Sequence, residues 1–189
     1  MVYWLSDTAA NLLGAPAPIV SGANAVTVSV VPPLSVADAR PLLVVDHASM
    51  TYGLSDTAAN LAGAAPTVGN GATNISVTDA ASVAQATVID GFTNSGTTNY
   101  SIADTAAAMA AASAAVGNGA INITVTDATT VAQATVIDGF TNSGSTRYSL
   151  SDTAANLAAA SASVGNGAIN ITATDAASVA QGVAIEGFI

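Results

Sequence analysis

Six aspartates recur along the chain about 24 residues apart, in steps that alternate slightly short and slightly long: Asp56, Asp79, Asp104, Asp127, Asp152 and Asp175. Carboxylates are hard oxygen ligands, and calcium collects six to eight such oxygens. A stacked row of Asp with neighbouring Ser and Thr hydroxyls is therefore one way to hold Ca2+. On strands about 4.8 Å apart, two such charges repel by roughly 0.9 kcal/mol at water's dielectric and about 3.5 at an effective value of 20. That repulsion has to be offset by a cation or by the start of a helix. Each Asp stands before an Ala-rich run. A side-chain oxygen there accepts N–H bonds from the first helical turn and faces the positive end of the helix dipole, which returns about 0.3–1 kcal/mol, at best about 2. A row of helix N-caps is the favoured reading, and a calcium row is its alternative.

Other polar residues also fall into ranks. Asp90, Asp138 and Glu186 recur at every second step of the Asp row, and the Glu in the last copy argues against a strict metal geometry. Thr78, Thr124, Thr126, Thr172 and Thr174, with Ser76 beside them, fall on the outward positions of alternating runs. They form either a solvated face of high strand propensity or a hydroxylated surface for a glycan, ice or another copy. Asn60, Asn156 and Asn11, then Asn74, Asn122 and Asn170, then Gln85, Gln133 and Gln181 form amide ranks, read as structural ladders between neighbours. The single His47 has no Cys and no second His to join it, so neither a catalytic triad nor a zinc site can be assembled around it. Gly69-Asn-Gly71 resembles a phosphate loop only superficially, because no Lys follows it. No enzyme and no resident cofactor is expected, with Ca2+ as the one alternative.

The elements that would position these ranks follow from the period. Tyr52, Tyr100 and Tyr148 open copies about 48 residues apart, and Tyr3 opens an edited copy about one period before Tyr52. Each copy divides into two half-repeats of about 24 residues, in the range of strand-plus-helix repeat proteins. Ile123-Thr-Val-Thr alternates apolar and polar with β-branched residues, so it predicts a half-buried strand with Ile123 and Val125 facing in. Thr153-Ala-Ala-Asn-Leu-Ala-Ala-Ala predicts a helix, and Val164-Gly-Asn-Gly-Ala is expected to stop it. Gly119 and Gly144 are expected to need a positive φ. Strand, helix and strand in short succession imply a parallel sheet. The expected fold is α/β: a repeat solenoid of strand–helix turns.

Composition narrows the partners. The chain has 12 acidic residues against two Lys and Arg, a net charge of −10. Nucleic acid is excluded on that balance, because phosphate binding needs a basic stripe. No run of 18 apolar residues lacks turn signals, so no membrane span is expected. Met1-Val-Tyr-Trp-Leu has neither a basic nor an apolar leader region, and no signal peptide is expected at this end. Hydrophobic residues make up 51% of the chain but charged ones only 7%, against roughly 25% in ordinary domains. Such a core would be small aliphatic side chains in thin layers.

The organisation expected is one continuous solenoid domain: an irregular capping copy over 1–51, regular copies over 52–99 and 100–147, and a shortened copy over 148–189. Pro16, Pro18, Pro32, Pro33 and Pro41 crowd the first copy and are expected to interrupt it. The last copy stops at Ile185-Glu-Gly-Phe-Ile189, mid-pattern. Val179, Ile185, Phe188 and Ile189 are the contacts expected to meet another copy, or adjoining repeats of a longer chain.

The units Tyr148-Ser-Leu-Ser-Asp-Thr-Ala-Ala-Asn-Leu-Ala and Asn122-Ile-Thr-Val-Thr-Asp-Ala, with Val131-Ala-Gln-Ala-Thr, resemble tandem repeats of very large bacterial secreted and cell-surface proteins. Many proteins of that kind leave the cell by type I secretion. The resemblance implies an extracellular or cell-surface scaffold, adhesin stalk or surface layer, and no catalytic residues. The calcium nonapeptide G-G-x-G-x-D of such proteins is absent. The function expected is thus a structural repeat module of a filament, surface layer or adhesin stalk. The alternative is a glycan-, calcium- or ice-binding module.

Overall fold

The computed structural model describes residues 2–29, 33–43 and 50–188. His47, Ile189 and Pro32 lie outside them. The fold is α/β with parallel sheets, and the chain divides into two compact units: residues 1–80 with 84–100, and residues 81–83 with 101–189.

In chain order the first copy gives β1 (Trp4–Asp7), α1 (Ala9–Gly14), α2 (Ala17–Ser21), β2 (Ala25–Val28), α3 (Val36–Leu42) and β3 (Met50–Thr51). The second gives β4 (Leu54–Asp56), α4 (Ala58–Ala62), α5 (Pro66–Asn70), β5 (Ile75–Ala81) and α6 (Val83–Asp90). The third gives β6 (Thr98–Asp104), α7 (Ala106–Ala110), α8 (Ala114–Gly119), β7 (Ile123–Thr129) and α9 (Val131–Asp138). The last gives β8 (Thr146–Asp152), α10 (Ala154–Ala158), α11 (Ala162–Gly167), β9 (Ile171–Ala173) and α12 (Val179–Glu186). Strands β1-β2-β3 form one parallel sheet, and β4 to β9 follow one another in sequence order in a second.

Strand partners lie one half-repeat apart. Leu54 pairs with Ile75, and Leu150 with Ile171. The alternation expected of Tyr148-Ser-Leu-Ser holds: Tyr148 and Leu150 are buried, Ser149 and Ser151 half-buried. Along β7 it does not run through. Ile123 is buried and Val125 only half-buried. Register with β8 shifts between Thr124 and Ala128, and the next buried side chain is Thr129. The strand therefore runs past Asp127 instead of ending there, as a bulge allows.

Helix boundaries also differ from the expectation. Val164-Gly-Asn-Gly does not stop α10; it forms most of a second short helix, α11, started by Ser161, whose hydroxyl accepts from the Val164 N–H. Pro16 and Pro18 begin a helix instead of interrupting the copy. Pro16 is the N-cap of α2, and Pro18 sits in its first turn, where an amide has no helical partner to lose. Pro66 opens α5 in the same way, and Pro41 lies in the last turn of α3. No described helix is long and apolar enough to cross a membrane.

Candidate functional site

The aspartate row is the most regular polar feature, and its hydrogen bonds point backwards along the chain. Asp56 Oδ1 accepts from the Thr57 N–H (2.8 Å), and its Oδ2 from the N–H of Val36 (2.9 Å), the first residue of α3. Asp104 and Asp152 repeat this, with Thr105 and Val83 for the one and Thr153 and Val131 for the other. Asp79, Asp127 and Asp175 each accept at 2.6 Å from the first N–H of α4, α7 and α10: Ala58, Ala106 and Ala154. Each carboxylate thus sits at the positive end of a helix that began 20 or 21 residues earlier.

The N-cap of a carboxylate's own helix is a hydroxyl. Thr57, Thr105 and Thr153 accept from the N–H three residues on. Thr130 and Ser178 close reciprocal capping boxes with Gln133 and Gln181. The expected N-caps are in this sense corrected: each Asp caps, but it caps the helix of the preceding half-repeat. Asp127 and Asp175 stand three residues ahead of Thr130 and Ser178, the hydroxyls that cap α9 and α12.

Local amides strengthen the arrangement. Asn60 and Asn156 donate to Asp56 and Asp152 (2.8 Å each), and Asn11 to Asp7 (2.7 Å). The Asn156 amide and the Val131 N–H hold the Asp152 carboxyl below its ordinary value. For Asp56, burial acts upward, but Asn60 with the Val36 and Thr57 amides outweighs it, and the carboxyl is lowered. In the third copy Ala108 stands at the Asn position.

The Asn rank ties neighbours in the same way. Asn122 Oδ1 accepts from the Ser145 N–H and hydroxyl at 3.0 and 3.1 Å, and Asn118 Oδ1 from the Thr141 N–H at 2.8 Å. Asn74 and Asn70 serve Thr97 and Thr93. Gly144 donates to the Ile121 carbonyl at 2.7 Å, and a Cβ on it would fall 2.6 Å from that oxygen. Its backbone is not in the positive-φ region. The glycine is therefore required by close approach, a correction to the expected left-handed turn. Gly119 is the last residue of α8.

One set of contacts is not apparent from the sequence alone. A side chain on Gly69, Gly117 or Gly165 would overlap the ring of Phe92, Phe140 or Phe188, respectively. The signal is a Gly that recurs at a fixed distance, about one half-repeat, before each Phe. Phe188, expected as a free outer contact, is thus seated on Gly165 and half-buried. Val179 is 86% exposed and Ile185 half-buried.

The tyrosines that open the copies are all hydrogen-bonded. Tyr148 and Tyr52 donate to the carbonyls of Val164 (2.9 Å) and Val68 (2.8 Å). Burial, with Asp138 nearby, pushes the Tyr148 hydroxyl up to about 12, and burial raises that of Tyr52. Tyr100 donates to Asp90 at 3.3 Å, and burial and that carboxylate raise it too.

The threonines Thr78, Thr124, Thr126, Thr172 and Thr174 are all exposed. They do not line up as an unbroken rank: Thr124 stands between Ala103 and Arg147, and Thr172 is next to Ser151. Among the described residues no three acidic or His side chains converge on a point that could hold a metal ion. A cleft of about 250 Å3 beside Asp152 is lined by Val131, Ala132, Asn156 and Ala159. Its carboxylate is already engaged by the Val131 and Thr153 amides and the Asn156 side chain. No family model, no curated protein and no solved structure matches this chain.

Proposed function

We propose that the chain is a structural repeat module, a solenoid of stacked half-repeats that serves as a scaffold and associates end to end. The observation that carries this reading is the backward reach of the aspartates. The six carboxylates that could have held a metal or moved a proton accept backbone amides of the preceding half-repeat. Polar chemistry is used here for cohesion between neighbours, which is what a repeat scaffold requires. The extracellular or cell-surface setting rests on the resemblance of the repeats to those of bacterial surface proteins. Partners on this reading are further copies of the same repeat.

Electron microscopy of the purified chain with light scattering tests it. Fibres or sheets that grow with concentration are the expected result. A monodisperse monomer that binds a glycan array, or whose melting temperature rises with Ca2+ and falls with EDTA, would replace this reading with a binding module.

A further inference from the structure

We propose that residues 1–189 associate head to tail through one specific junction, in which β1 of one copy adds to β9 of another and Asp7 accepts the Val179 N–H. This rests on the scaffold reading above and names the contact. Asp7 stands four residues after Tyr3, as Asp56, Asp104 and Asp152 stand after Tyr52, Tyr100 and Tyr148. Those three aspartates each give Oδ2 to the first N–H of a preceding helix. Asp7 uses Oδ1 for the Thr8 N–H and the Asn11 amide, and its Oδ2 bonds nothing among the described residues. Val179 is the first residue of α12, as Val36, Val83 and Val131 are of α3, α6 and α9. Among the described residues no Asp side chain meets its N–H. One surface has the acceptor and the other has the donor of a bond made inside the chain three times.

The apolar positions complement each other as well. Tyr3 and Leu5 are half-buried, whereas Tyr52, Tyr100, Tyr148, Leu54, Ile102 and Leu150 at the same positions are buried. On the other surface Ile171 and Ile185 are half-buried and Ala177 exposed, whereas Ile123, Ile137 and Thr129 are buried. β1 and β9 are the outer strands of their sheets. The pairing of Ala128 with Ser149 and Thr129 with Leu150, continued by one copy, sets Ala176 beside Trp4 and Ala177 beside Leu5. Trp4, the single tryptophan, is 73% exposed. Contacts of this kind that do not close into a ring grow as filaments.

Sedimentation velocity over a concentration series, with Trp4 emission read on the same samples, tests the junction. Val179→Pro removes the donor and leaves α12 intact, because proline suits the first helical position and Ser178 already has the extended backbone that precedes one. Val179→Ala keeps the N–H and trims only the side chain. Asp7→Ala removes the acceptor from the other surface. The expected result is assembly of the unmodified chain with a blue shift of Trp4, weakened about tenfold or more by Val179→Pro and by Asp7→Ala and distinctly less by Val179→Ala. If the unmodified chain assembles and the proline and alanine variants at Val179 behave alike, or Asp7→Ala assembles unchanged, this junction is overturned while the scaffold reading stands. A chain that stays monomeric throughout overturns both.

Discussion

The first copy and the three regular copies share the Tyr-x-x-x-Asp opening, yet they are held by different means. In a regular copy, Asp79 or Asp127 caps α4 or α7 from the next half-repeat, and a Phe ring rests on a bare Gly. The first copy has no Asp between residues 8 and 37, and at the Gly position it has Val20, which is buried. The Phe position of the first copy, counted from the start of α3, lies outside the described residues. Proline starts its second helix where Ser113 and Ser161 start theirs. A branched residue thus stands in the first copy where the regular copies keep a bare Gly against a ring.

The Gly–Phe seat gives the largest expected effect. Gly117→Val should destabilise by about 1–3 kcal/mol, because the new side chain meets the Phe140 ring. Adding Phe140→Leu, which trims the ring, should recover about 1 kcal/mol or more as coupling between the two sites. Chemical denaturation of the four members of that cycle measures it, and strictly additive losses would refute a direct clash between the two side chains.

Next comes the cap. Asp127→Ala should lose about 0.5–2 kcal/mol through the Ala106 N–H, while Asp127→Asn, which keeps an acceptor, should lose less. A gain in stability from Asp127→Ala would mean that crowded charge outweighs the cap.

The pH response follows from Asp56 and Asp152, whose carboxyls lie below the ordinary 3.8. The folded state binds their protons more weakly than the unfolded state does. Their contribution is complete above about 3.8 and is lost as pH falls through the lower folded value. Asn156→Ala copies the Ala108 of the third copy and should move the start of acid unfolding to higher pH in a circular-dichroism titration. At the alkaline end Tyr148, pushed up to about 12 from 10.0, contributes fully below pH 10 and loses that contribution as pH rises through about 12.

The smallest effect concerns Thr129, whose buried hydroxyl has no hydrogen-bond partner among the described residues. Ala81 and Ala177 occupy its position in the other copies. Thr129→Ala should be neutral or stabilising by up to about 1 kcal/mol, since the lost methyl packing is set against removal of an unsatisfied buried group. A marked loss in a thermal melt would point to an unseen partner for the hydroxyl.

Much of this was legible in the sequence. The alternation at Tyr148-Ser-Leu-Ser gave the buried positions, and Asp before an Ala-rich run signalled capping. What could not be read was the target of each cap. Local chemistry offers Asp127 its own helix, and only the register of β7 on its neighbours turns it towards Ala106, 21 residues back. The break between α10 and α11 was hidden because Ala158-Ala-Ala-Ser-Ala contains neither Gly nor Pro; the Ser161 hydroxyl decides it. The Gly–Phe seats escaped because a glycine before Asn-Gly looks like a turn residue until the ring above it is seen.

The backward reach of the aspartates also sets an order in time. During synthesis α7 is complete at Ala110, but the carboxylate for its first amide, Asp127, has still to be made. At roughly 5–20 residues per second, each new helix spends about one to a few seconds with that amide unsatisfied. Growth then runs one way, like a zip whose every tooth is fastened by the next. A ribosome that pauses just before an aspartate would hold the nascent chain with its newest helix loose, and one that pauses just after would hold it fastened.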